Sequence, residues 1–170
     1  MTEQSIYRAS VAEADLRPFM AQFPTGVSIV TSVTSGGEPI GMTCTSLCSV
    51  SLHPPVLLVS MRAASPTLDA LLHSGIFSLN LLNRAAQEAA MLFASGAPDR
   101  FSRVRWRQPF DNCGPHLFRD ACAAADCRVI DRKSVGDHAV VFGEVTRVTS
   151  LTDEPPLLYG LRRYAAWTVN

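Results

Sequence analysis

Residues 26–33 alternate apolar and hydroxyl side chains, and Ser35-Gly-Gly-Glu-Pro39 then supplies turn chemistry before a second extended run begins at Ile40. A period of two sends successive side chains to opposite faces, so this text describes a strand with one buried face. The turn predicts an antiparallel return over residues 40–46. Once one face is buried the register is fixed, because a one-residue slip would expose every apolar side chain. The same grammar recurs downstream. Pro55 opens a nearly all-apolar strand to Met61, expected to lie centrally in its sheet. Further strands are predicted over 76–81, 121–131 and 138–148, the last two joined by a turn at Gly136-Asp137, and residues 157–167 close the chain.

Helices are sparse. Ser10-Val-Ala-Glu13 reads as a capping box, predicting a helix over about 11–22 with Phe19, Met20 and Phe23 on its apolar face. Ser65-Pro66 sets serine as N-cap and proline at the first helical position of a helix ending near His73, with Gly75 just beyond. Residues 85–93 read as a third short helix. The Arg-rich text of 94–115 (Arg100, Arg103, Arg105, Arg107) predicts a long exposed connection. Six or seven strands mostly in hairpins, with a few short flanking α-helices, favour a mainly β fold: a closed antiparallel barrel in one domain spanning 1–170, its barrel over about 24–167.

Composition excludes several function classes. Fifteen basic and fifteen acidic residues give zero net charge without a charge run, so no nucleic acid or membrane partner is expected. No apolar stretch is long enough to span a bilayer, and the N-terminus lacks a signal-peptide pattern, so a cytoplasmic location is expected. The five cysteines (44, 48, 113, 122 and 127) are irregularly spaced, which suits reduced thiols and, with no C-x-x-C pair, no metal site. No G-x-G-x-x-G follows a strand, and neither a Cys-His arrangement nor a carboxylate pair for acid–base work is visible.

The chemistry-bearing text is Gly41-Met-Thr-Cys-Thr-Ser-Leu-Cys-Ser-Val-Ser-Leu-His-Pro-Pro55. Small residues Thr43, Cys44, Thr45, Ser46 and Cys48, with Leu47 among them, leave backbone donors and acceptors open to a flat polar ligand. On the residues alone, the same pattern also suits an amphipathic strand whose hydroxyls face water. Ser65 and Thr67, at a helix start, suit a phosphate, although N-capping by itself accounts for the serine.

Six segments in order carry a resemblance: Pro24-Thr-Gly-Val-Ser-Ile-Val-Thr31, Gly41-Met-Thr-Cys-Thr-Ser46, Ser51-Leu-His-Pro-Pro55, Phe77-Ser-Leu-Asn80, Gly136-Asp-His138 and Pro156-Leu-Leu-Tyr159. Together the text resembles the flavin reductase-like family over roughly residues 19–167. That resemblance implies an FMN-binding split barrel of Greek-key type, and NADH- or NADPH-dependent reduction of FMN or FAD. It also implies a homodimer, and a separate oxygenase that receives the reduced flavin. It places flavin contacts at Thr43, Cys44, Thr45, Ser46, Leu47, Cys48, Arg62, Ala63, Ser65, Thr67, Arg100 and Phe101. The dinucleotide is placed at His138, Tyr159, Arg162 and Tyr164. No catalytic side chain is expected, because hydride passes directly between the cofactors. The alternative is a split-barrel protein without reductase activity: pyridoxamine-phosphate oxidase-like, or a flavin-binding dimer module.

Overall fold

The computed structural model describes residues 15–109 and 113–167. In chain order these form α1 (Leu16–Ala21), β1 (Thr25–Gly26), β2 (Ser28–Val33), β3 (Pro39–Cys44), β4 (Leu47–Leu52), β5 (Pro55–Arg62), α2 (Pro66–Ser74), β6 (Ile76–Leu82) and α3 (Gln87–Ser95). After a 3-10 turn at Arg100–Ser102 come β7 (Ala121–Val135), β8 (His138–Ser150), β9 (Leu157–Gly160) and β10 (Arg163–Ala166). Seven strands form one antiparallel sheet in the order β3-β2-β6-β7-β8-β5-β4, and β1-β9-β10 form a small second sheet.

The two end strands of the large sheet, β3 and β4, are consecutive in the chain and joined only by Thr45 and Ser46. Three trans peptide steps span at most about 11 Å. The sheet therefore curls far enough to set the end of β3 beside the start of β4. Ser46 O accepts from Ser60 N at 3.1 Å, and the Cys44 thiol lies 3.8 Å from Ser60 O, so the link rests against β5. Inside the curl, Val30, Val59, Met61, Leu71, Phe77, Leu79 and Val141 form the main core, closed on one side by α2. A buried aliphatic or aromatic side chain contributes about 1.5–3 kcal/mol. Gly143 is required there, since an added Cβ would fall 2.6 Å from the Phe77 ring. A second cluster gathers Ile29, Leu82, Ala90, Phe93 and Leu117 beneath α3.

The expected hairpins stand, with differences. The predicted return strand over 40–46 ends at Cys44, and Leu47–Leu52 is a further strand that the sequence pattern did not single out. Its alternation was hidden because nearly all of β4 is exposed in the chain, Leu52 at 75%. β7 and β8 run to Val135 and Ser150, longer than predicted, and β9 and β10 belong to the separate small sheet. α3 starts at Gln87, two residues later than expected. Ser10 lies outside the described residues. Asp15, in extended conformation, caps α1 by accepting from Arg17 N at 3.0 Å, so the described helix begins at Leu16. Phe19, Met20 and Phe23 are exposed rather than packed as a core face. No helix among the described residues is long and apolar enough to cross a membrane.

The long connection is not exposed throughout. Residues 113–117 are buried. They are tied to the sheet by a polar network centred on Asp126, whose side chain is fully buried. Asp126 accepts from Ser78 Oγ at 2.6 Å and Arg147 Nε at 2.8 Å, and pairs with His116 Nε2 at 2.7 Å. Burial opposes ionisation of Asp126, but these three partners outweigh it and hold the carboxyl down at about 2. Beside it, Asn80 donates to Pro115 O at 3.1 Å and accepts from Leu117 N at 2.9 Å. His116 thereby anchors the connection to the sheet.

Candidate active site

A cavity of about 960 Å³ opens where the Thr45–Ser46 link meets α1 and the β9–β10 turn. Thr45, Ser46, Leu47 and Cys48 form one wall and Leu58 and Ser60 of β5 the next. Met20, Phe23 and Thr25 arrive from the N-terminal segment, and Tyr159 and Arg162 from the C-terminal hairpin. Residues from opposite ends of the chain are thus brought together. Tyr159 pairs across the small sheet with Tyr164, ring centroids 5.0 Å apart. Burial raises the Tyr164 hydroxyl above the usual phenol range.

Leu58 and Ser60 also belong to a strand face that runs on beyond the cavity, whose lining includes neither Arg62 nor His138. β5 pairs with β8 in the register Leu58↔Phe142, Ser60↔Val140 and Arg62↔His138. Strand alternation puts all six on one face, while Val59, Met61, Ala139 and Val141 point into the core. Leu58 and Arg62 are about 13 Å apart along the strand. At its far end the face carries Arg62 beside His138, whose Nδ1 lies 2.8 Å from Asp137 Oδ1. The His138 contact, more than the nearby Arg62 charge, holds the Asp137 carboxyl below its ordinary value. Ala63 N donates to Asp137 O, closing this corner.

The remaining residues singled out from the sequence fall elsewhere. Thr43 donates to Ala90 O at 2.6 Å, tying β3 to α3. Cys44 is buried in the core, and burial pushes its thiol up. It does not line the cavity, whereas Cys48 does. Ser65 holds the N-cap position of α2, yet its hydroxyl donates to Met42 Sδ at 3.1 Å and accepts from none of the helix amides. Thr67 is buried in the first turn. Arg100 donates to Ala97 O at 2.9 Å and lies 6.0 Å over the Phe93 ring. Burial lowers its pKa, and its Nε is buried without a partner. Phe101 packs edge-on to Phe93 and Trp106, pinning the connection to the second cluster. Neither Arg100 nor Phe101 lines the cavity. Leu58 and Ser60 were missed, although they share the period-two face of Arg62. No cluster of three metal-ligating side chains occurs among the described residues.

A family model described as "Flavin reductase like domain" matches residues 20–168. The chain belongs to the flavin reductase-like family. It is 47% identical over 160 residues to a flavin reductase (NADPH) of Lentzea aerocolonigenes, covering 94% of this chain and 93% of that one. It is 33% identical over 148 residues to the flavin-dependent monooxygenase reductase subunit HsaB of Rhodococcus jostii, covering 87% and 74%. Among solved structures it is similar to the NADH:FAD oxidoreductase SgcE6 of Streptomyces globisporus C-1027 in complex with NAD and FAD fragments. That match has a TM-score of 0.83 and 31% identity, over 90% of this chain and 91% of that one. Within this family, the site's donor set fits a flavin: a wall of small hydroxyl and thiol side chains, an apolar strand face, and cationic groups at both ends.

Proposed function

We propose that this flavin reductase-like chain is an NAD(P)H-dependent flavin reductase that supplies reduced flavin to a partner oxygenase. One observation carries the reading: the cavity joins the small-residue wall at Thr45–Cys48 to Tyr159 and Arg162 of the C-terminal turn. Bound together, a reduced nicotinamide and an oxidised flavin supply the hydride chemistry themselves. The chain's task is to hold two flat rings in contact, and orientation of this kind lowers a barrier without an acid or a nucleophile. Thr45, Ser46 and Ser60 offer hydrogen-bonding groups to a polar ring edge, Leu58 and Cys48 give the ring an apolar floor, and Tyr159 supplies an aromatic face. Arg62, Ala63 and Ser65, with Thr67 shaping the helix start, form the flavin phosphate corner, and His138 orients the dinucleotide beside it. Arg100 supports that corner through β3 and α3.

The two-residue link between β3 and β4 supports closure of the large sheet as a split barrel, its seam at that link. A second copy of this chain fits the apolar groove of about 310 Å³ between β4, β6 and β7. Leu47 lines both this groove and the cavity, so a copy seated there also walls the site. A cytoplasmic location agrees with the free thiols. The deciding experiment incubates the protein with NADH or NADPH and each of riboflavin, FMN and FAD, following loss of reduced-nicotinamide absorbance. Flavin-dependent oxidation is expected. Tightly retained FMN with no dinucleotide oxidation would favour the non-reductase alternative.

A further inference from the structure

The cavity holds a second cationic end, of which only Arg162 is among the contacts expected from the sequence. Arg17 projects from the first turn of α1, and Arg162 stands in the two-residue turn between β9 and β10. Both line the cavity, and so does Asp15. Arg17 meets Asp15 edge-on, Nε to Oδ1 at 2.8 Å and Nη2 to Oδ2 at 3.0 Å. That fork fixes the guanidinium plane and turns the Nη1 edge away from the carboxylate. The two arginines and one carboxylate leave this end with a net positive charge.

The backbone around Arg162 is an independent observation. Leu161 and Arg162 have φ of 50° and 59°, as a tight hairpin of primed type demands. Asn-Gly would meet that demand without strain, whereas a branched leucine and an arginine are held there at a cost. The turn is locked in place by Leu161 N, which donates to Ala21 O at 2.7 Å and so ties the hairpin to the end of α1. This tie sets Arg162 and Arg17 at one mouth of one cavity. A strained turn retained with a long cationic side chain, opposite a second arginine already oriented by a carboxylate, has the make-up of an oxyanion clamp.

We propose that Arg17 and Arg162 bind a phosphomonoester of a ligand seated in the cavity, with Asp15 as the positioning residue for Arg17. The proposal rests on the reductase reading. With the flavin phosphate at the Arg62–Ser65 corner, the group that meets the clamp is the 2′-phosphate of NADPH; a flavin lying the other way round would bring the 5′-phosphate of FMN there instead. NADH and riboflavin lack these groups. A dianionic phosphate is a strong partner for paired guanidiniums, and one lost charge-assisted contact weakens binding by about tenfold or more.

The test measures equilibrium binding and steady-state kinetics of the full-length protein, Arg17→Gln, Arg162→Gln and Arg17→Lys, with NADPH against NADH and FMN against riboflavin. Both glutamine variants are expected to lose at least about tenfold in affinity for one phosphate-bearing member of a pair, with its phosphate-free counterpart nearly unchanged. The lysine variant should recover part of the loss. Selective loss for NADPH assigns the clamp to the dinucleotide, and selective loss for FMN assigns it to the flavin. No selective loss in either pair, or equal loss for all four ligands at unchanged thermal stability, overturns the proposal. A parent protein that reduces no flavin with either dinucleotide would instead overturn the reading on which it rests.

Discussion

Asp126→Asn tests whether the buried network fastens the long connection to the sheet. The wild-type carboxylate serves three partners: Ser78 and His116 on Oδ1 and Arg147 on Oδ2. An asparagine keeps one carbonyl oxygen and presents N–H groups at the other position. Either the Ser78–His116 pair or Arg147 then faces a donor instead of an acceptor. A lost hydrogen bond to a charged group costs about 1.5–3 kcal/mol, and stranding a buried polar partner adds to it, so about 3 kcal/mol is expected. For a chain of this size that lowers Tm by about 6–12 °C. A second signature is independent of the first. The folded carboxyl sits at about 2, below its ordinary 3.8. Its stabilisation, about 2 kcal/mol, is therefore complete above pH 4 and lost as pH falls from about 4 to about 2. Denaturant unfolding at a series of pH values reads both. The variant should be less stable at neutral pH and should lack that part of the acid decline. A loss below about 1 kcal/mol, or an acid limb identical to that of the wild type, would refute the assignment of an ionised, three-partner Asp126.

Other substitutions address the site and its support. Gly143→Ala drives a methyl into the Phe77 ring and is expected to cost about 1–3 kcal/mol, measured by chemical denaturation. Leu161→Asn with Arg162→Gly relieves the left-handed strain and should raise Tm while weakening ligand binding, since the cavity loses its guanidinium. Cys48→Phe fills the cavity wall and should weaken flavin binding severalfold or more with little change in stability, because Cys48 is exposed. His138→Ala should raise KM for the dinucleotide and leave flavin affinity unchanged; unaltered kinetics would remove His138 from the site.

Much of the architecture was legible because hairpins write themselves locally. The alternation of residues 26–33, the Ser-Gly-Gly turn and the Gly136-Asp137 turn each state a strand, a reversal and a register within a few residues. β4 was not legible, because its apolar side chains are exposed in the chain and a double proline follows directly. The cavity was half legible: Thr45 to Cys48 and the Tyr159–Arg162 hairpin were found from motif text. Leu58, Ser60, Asp15 and Arg17 join them only through the register of β5 and the docking of α1, which no local window encodes. Cys44 and Thr43 show the converse. Their residue types suit a ligand wall, yet strand alternation turns one side chain into the core and the other toward α3.

The timing of the site's formation follows from the same arrangement. The Thr45–Ser46 link keeps β3 and β4 close from the start, but the cavity beside it needs β2–β6 and β5–β8, whose pairings close about 50 and about 80 residues of chain. Contacts that wait on so much prior chain closure belong to the late part of a folding reaction. A partly assembled chain thus has hairpins, and even a core, without a cavity. Ligand bound there stabilises the completed fold alone, in proportion to the logarithm of its concentration over Kd. Flavin-dependent fluorescence changes during refolding would therefore trail the far-ultraviolet signal of the strands and time the closing of the sheet.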